Sequence, residues 1–125
     1  MHPIQVYITK DQDTGLFVAL DSLARDLPIV SGYDSTLDTA CDCYMGMIQS
    51  HLIDIDERGG DPLKGLYLDG NRVVELPLSE LEQKARESHE GISLVKYGNK
   101  KTFSLPGSED NVQVTFYADR TLLQN

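Results

Sequence analysis

The stretch at residues 26–40, DLPIVSGYDSTLDTA, decides the fold that we predict for this chain. Its first part reads as an extended strand at residues 27–30, which must lie at or near a sheet edge because Pro28 has no N–H to donate. Gly32 then marks a bend, and a helix starts soon after it. The stretch therefore predicts a strand that returns and leads directly into a helix.

The residues that precede this stretch alternate as the residues of a half-buried strand do. In residues 4–9 the apolar Ile4, Val6 and Ile8 share one face and Gln5, Tyr7 and Thr9 the other. A polar turn at residues 10–15 leads to a second strand at residues 16–20. The first half is thus predicted to run strand, strand, strand, helix.

The first helix is predicted over residues 35–55, with Ser35 and Asp38 forming a capping box at its start. Gly46 in mid-helix costs roughly 1 kcal/mol relative to Ala, and we expect it to allow a close approach to a strand. One stripe is apolar and is expected to be buried: Leu37, Cys41, Tyr44, Ile48, Leu52 and Ile55.

Residues 62–125 are predicted to be rich in strands and to contain one short helix. An Asp69-Gly70 pair predicts a hairpin within residues 66–76. Ser79 and Glu82 form a second capping box, for a helix that ends near Ser88. Three further strands are expected at residues 92–97, 101–105 and 112–118, followed by a frayed tail.

These elements predict an α+β fold, with antiparallel strands and two helices, in a single domain of residues 1–125. Residues 1–61 form an acidic module, and residues 62–125 form its β-rich extension. The sequence leaves open whether the extension is a separate lobe or continues the first sheet.

The net charge of −9 is concentrated in the first half. Residues 1–61 carry eleven acids and three bases, whereas residues 62–125 carry nine acids and eight bases. Such a charge disfavours direct DNA binding by residues 1–61 and favours a basic protein partner. Solubility alone is the alternative interpretation. The residues predicted to face a partner are Asp11, Asp13, Asp34, Asp38 and Asp42.

The sequence contains no arrangement typical of a catalytic centre, and we predict no catalytic residue, no metal site and no cofactor. Cys41 and Cys43 are separated by about 200° around a helix, so the two thiols cannot hold one metal ion. His51 is predicted to interact with the C-terminal end of the helix dipole. One basic and aromatic group is also compatible with single-stranded nucleic acid, although an ordinary hairpin is favoured: Lys96, Lys100, Lys101, Arg120, Tyr97, Phe103 and Tyr117.

The first residues have neither the basic nor the apolar segment of a signal peptide, and no apolar run approaches ~18 residues. Two cysteines are few for a secreted chain of this size. We therefore expect a cytoplasmic protein that does not enter a membrane.

Residues 3–53 resemble the HicB-like antitoxin fold. Gly15-Leu16-Phe17-Val18-Ala19, Asp26-Leu27-Pro28 and Thr36-Leu37-Asp38-Thr39-Ala40 follow that family's order and separation. The resemblance implies a β-β-β-α module that binds a partner without catalysis and often forms a dimer. In true antitoxins the partner is a small, basic, RNA-cleaving toxin. Here Ile29-Val30 replaces the family's Gly-Cys, and a β-rich half replaces its DNA-binding segment.

Three functions are compatible with these features. The first is an antitoxin-like protein that binds and inhibits a basic, nucleic-acid-binding partner. The second is a phage or mobile-element inhibitor that acts as a nucleic-acid mimic. The third is a small enzyme of an unrecognised family, which would require a pocket with converging titratable groups.

Overall fold

The computed structural model describes residues 2–21, 29–30, 36–66 and 75–123. Their strands are β1 (His2–Lys10), β2 (Phe17–Asp21), β3 (Ile29–Val30), β4 (Leu94–Lys96), β5 (Lys101–Ser104) and β6 (Asn111–Asp119). The helices are α1 (Leu37–Glu57) and α2 (Leu78–Ser88), with short 3₁₀ helices at Pro62–Leu66 and Arg120–Leu123. The α+β class with two helices is therefore confirmed. The hairpin predicted at Asp69-Gly70 and the start of the third strand lie outside the described residues.

All six strands belong to one sheet, in the order β3-β2-β1-β6-β4, with β5 also pairing with β6. The pairing of β1 with β6 is parallel, with Ile4 opposite Val114 and Ile8 opposite Ala118. The other pairings among the described strands are antiparallel. The sheet is therefore mixed, because the long connection through both helices lets the chain return beside β1 in the same direction. Strands of residues 62–125 thus continue the first sheet.

Helix α1 covers one face of this sheet, as its apolar stripe predicts. Its buried side chains pack with Ile4, Val6 and Ile8 of β1 and with Ala19 of β2. The ring of Tyr44 meets that of Phe116 edge-on, with centroids 6.0 Å apart. Five of the predicted stripe residues are buried, namely Leu37, Cys41, Tyr44, Ile48 and Leu52. Ile55 is half-buried.

Helix α2 covers the opposite face, and this makes the expectation of a half-buried first strand wrong. Gln5 is only 2 % exposed, and Tyr7 and Thr9 are each 7 % exposed. Leu81 and Ala85 of α2 form a second apolar cluster with Tyr7 and neighbouring side chains. Because a helix packs on each face, β1 is a central strand that is buried on both sides.

The start of α1 differs from its predicted cap. Its N-cap is Thr36, whose hydroxyl accepts a hydrogen bond from Thr39 N at 3.1 Å. The predicted cap, Ser35, lies outside the described residues. Gly46 is exposed, and a Cβ at that position would meet nothing within 4 Å. The expected close approach of a strand to Gly46 is therefore wrong.

The second capping box is also wrong. The N-cap of α2 is Pro77, whose side chain forms no capping hydrogen bond, and Ser79 lies inside the helix. Glu82 instead accepts a hydrogen bond from Leu94 N at 2.9 Å and pairs with Arg86 at 3.0 Å. The carboxylate of Glu82 thus connects α2 to β4.

Candidate partner-binding surface

The exposed side of α1 carries only acidic charge. The helix contains five acids and neither lysine nor arginine, and all five acidic side chains are exposed. We call this set the α1 acidic surface: Asp38, Asp42, Asp54, Asp56 and Glu57. Asp38 and Asp42 lie in the first two turns of the helix, and Asp54, Asp56 and Glu57 lie at its C-terminal end.

Three of these acids lie where they destabilise the helix. Asp54, Asp56 and Glu57 occupy the last turns, and α1 has no basic residue in its last turn. Negative charge at the C-terminal end of a helix is unfavourable, by about 0.3–1 kcal/mol per charge at exposed sites. Arg58, just beyond the helix, pairs with Asp54 at 3.2 Å. Sequence reasoning missed these three acids, although acidic residues at a predicted helix end were a readable signal.

The predicted partner-facing residues fall on separate elements. Asp38 and Asp42 lie one turn apart on α1, and both line the same cleft. Asp11 and Asp13 lie in the turn between β1 and β2, where Asp11 Oδ1 accepts a hydrogen bond from Asp13 N at 2.9 Å. Asp11 therefore helps to form the turn, whereas the side chain of Asp13 is exposed. Asp34 lies outside the described residues.

A cleft of about 290 Å³ separates the start of α1 from the connection between β4 and β5. The helix contributes two carboxylates and a thiol, and the sheet contributes aromatic rings and one ammonium group. The lining residues are Asp38, Cys41, Asp42, Tyr97, Gly98, Asn99, Lys101 and Phe116. The two walls of the cleft come from the two halves of the sequence.

A hydrogen bond joins the two walls. The Tyr97 hydroxyl donates to Asp38 Oδ1 at 2.6 Å. This hydrogen bond to the carboxylate, with burial and the charge of Asp38, raises the pKa of Tyr97 to about 12. The phenol therefore stays protonated at neutral pH and orients Asp38 rather than serving as a base.

The cysteine in the cleft, Cys41, is expected to be unreactive at neutral pH. Burial, followed by the charge of Asp38, raises the pKa of the Cys41 thiol to about 12, although Lys101 acts in the opposite direction. A thiol with such a pKa contributes little thiolate at neutral pH. Cys43 is exposed. The described residues contain no group of three or more His, Cys, Asp or Glu side chains that could hold a metal ion.

The basic and aromatic residues do not form one stacking surface. In the register of β4 and β6, Lys96 lies opposite Tyr117, which is buried on the α2 side of the sheet. In the register of β5 and β6, Lys101 lies opposite Val114, which packs on the α1 side. The set is therefore divided between two faces, which favours the ordinary hairpin over a platform for stacked bases.

A second depression, of about 410 Å³, lies at the C-terminal end of α1 beside the turn between β5 and β6. Asp56 and Asp61 line it together with residues of that turn. Gly107 has a φ of 75°, and a Cβ there would lie 2.9 Å from Asp56 Oδ1. Glycine at this position lets the turn approach the acidic end of α1 closely.

No protein-family profile, curated protein or solved structure matches this chain. In the described part of the chain, no helix is both long enough and apolar enough to cross a bilayer.

Proposed function

We propose that this protein is a non-catalytic regulatory or inhibitory protein that binds a basic protein partner through the α1 acidic surface, as a HicB-like antitoxin does. The observation that supports this most is the absence of any lysine or arginine from a 21-residue helix with five exposed acids. The order β-β-β-α of the first elements agrees with the resemblance. A nucleic-acid-binding or RNA-cleaving protein is the kind of basic partner that such a surface complements.

The acids at the C-terminal end of α1 reduce the stability of the helix, which argues against solubility as their only role. Charge placed elsewhere on the surface gives the same solubility without opposing the helix dipole. The chemistry of the cleft also argues against catalysis, because its tyrosine and buried cysteine both hold their protons at neutral pH. A cysteine nucleophile or a tyrosine base needs the opposite shift of its pKa.

The proposal also includes a cytoplasmic location and a homodimer. Both cysteines are free thiols, which suits the reducing cytoplasm. The homodimer that the resemblance implies stays a prediction, to be checked by analytical ultracentrifugation.

The proposal is tested by affinity capture from the native host at two salt concentrations, followed by binding kinetics with the captured protein. Asp38→Asn with Asp42→Asn should slow association and flatten its dependence on salt, because salt screens such attraction over about 10 Å at 0.1 M. Glu87→Gln with Glu90→Gln is the matched control, since it removes the same charge from exposed positions outside α1.

Equal association rates and salt slopes for the two double variants would contradict a role for the α1 acidic surface. A captured partner that is released by competing DNA or RNA would bind this protein through its nucleic-acid site. That outcome, with a phage or mobile-element gene neighbourhood, would favour the nucleic-acid mimic over the antitoxin-like role.

A further inference from the structure

We propose that the cleft between α1 and the β4–β5 connection receives an arginine side chain that the basic partner presents. This inference rests on the proposed function and names the point at which the partner is anchored. A volume of about 290 Å³ lies just below the range of ligand pockets, which hold roughly 300–1,000 Å³. The cleft thus suits one long side chain better than a cofactor.

The charges in the cleft favour a cation. Asp42 has no hydrogen-bond or ion-pair partner in the described part of the chain, and Asp38 uses only Oδ1 to accept from Tyr97. Lys101 is the single cationic residue in the lining and forms no ion pair with either carboxylate among the described residues. Two carboxylates and one ammonium leave the cleft with a net negative charge, which repels an anionic ligand.

The shape of the lining favours arginine over lysine. A guanidinium is planar and presents several N–H donors, so it can reach Asp42 and the free oxygen of Asp38 together. The same plane stacks on aromatic rings, and the half-buried ring of Tyr97 lines the cleft. An ammonium group is a compact, strongly hydrated point charge, and it gains less from this combination.

The hydrogen bond between Tyr97 and Asp38 prepares the cleft for binding. It holds one carboxylate in place before the ligand arrives, so less side-chain entropy is lost on binding. An arginine that enters here contacts both halves of the sequence at once, because Asp38 and Tyr97 are 59 residues apart.

The test is an NMR titration of the full-length protein with Nα-acetyl-arginine amide. The lysine and citrulline analogues serve as matched probes, since citrulline keeps the shape of arginine without its charge. We expect saturable shifts at the amides of Asp42, Gly98 and Asn99 with the arginine probe, weaker shifts with lysine and none with citrulline. Asp42→Asn should reduce the affinity about tenfold, because a charge-assisted contact is lost.

Asp13→Asn is the control variant, since it removes the same charge from an exposed position outside the cleft and should leave the affinity unchanged. Asp42 is exposed and without a partner among the described residues, so its variant should melt as the wild type does. Equal shifts with citrulline, or an undiminished affinity in Asp42→Asn, would overturn the inference. Tighter binding of free arginine than of the capped probe would also overturn it, because the cleft would then serve an amino acid.

The two proposals fail in different ways. If the partner's binding depends on the α1 acidic surface but is unchanged by Asp42→Asn, the arginine inference is wrong and the proposed function stands. If the arginine probe binds tightly and specifically but affinity capture finds no basic protein partner, the proposed function is wrong.

Discussion

Gln5 offers the sharpest test of how the two halves of the chain are joined. Its side chain lies in the central strand and is 2 % exposed. Nε2 donates to Leu76 O at 2.8 Å, and Oε1 accepts from Leu76 N at 2.9 Å. The side-chain amide of Gln5 thus bonds to the Leu76 backbone as a neighbouring strand would, and it fixes the segment that leads into α2.

Gln5→Leu keeps the size of the side chain and removes both bonds to Leu76, so the N–H and C=O of Leu76 lose their partners. It also removes the longer bond from Nε2 to the Tyr117 hydroxyl at 3.4 Å. An unsatisfied buried group costs about 1–3 kcal/mol. Leu76 is half-buried, and water offsets part of that loss, so we expect a destabilisation of about 2 kcal/mol. At about 4 °C per kcal/mol for a domain of this size, the melting temperature should fall by about 8 °C.

The matched control is Gln113→Leu, which changes a half-buried glutamine on the same face of the sheet. Gln113 has no side-chain hydrogen bond in the described part of the chain, so its variant should stay within about 0.5 kcal/mol of the wild type. The assays are thermal melting by circular dichroism and hydrogen exchange at the Leu76 amide. Equal melting temperatures for the two variants, with slow exchange retained at Leu76, would refute the reasoning.

Three further outcomes are expected. Ile48→Asp places an unpaired charge in the core, where Ile48 is 1 % exposed, and should remove the cooperative thermal transition; an unchanged melting curve would contradict the packing of α1. Asp38→Asn should lower the pKa of Tyr97 from about 12 toward its ordinary value of 10.0 in an NMR titration of the ring. Because the folded-state pKa is the raised one, the bond should stabilise the fold fully below pH 10.0 and lose that effect as pH rises through about 12. A maleimide reagent at neutral pH should label only Cys43 in the native protein and both thiols after unfolding; rapid native labelling of Cys41 by mass spectrometry would contradict its burial.

Local patterns in the sequence predicted the elements that bury one face of the sheet. The strand at residues 4–9, with Ile4, Val6 and Ile8 on one face, and the stripe from Leu37 to Leu52 are confirmed, because the spacing of apolar residues follows the period of each element. The expectation that the other face of this strand is exposed is wrong. The caps were less predictable: Thr36 and Pro77 are the N-caps in place of Ser35 and Ser79. Several neighbouring polar residues can serve as a cap, and packing of the helix selects among them.

The candidate site was predictable only in part. Asp38 and Asp42 were identified from charge and helical spacing, and both line the cleft. The roles of Tyr97 and Lys101 in that cleft carried no sequence signal, since they lie far along the chain in an ordinary hairpin. Glu82 and Gln5 likewise connect distant segments through single side chains.

By itself, the sequence determined the α+β class, the acidic first half and the amphipathic α1, because composition and periodicity are properties of neighbouring residues. Only the tertiary structure decided that β6 lies parallel to β1, that α2 covers the second face and that Tyr97 meets Asp38. Each of these depends on contacts between residues many positions apart. Such contacts form when the whole chain closes around its core, and no local pattern specifies them.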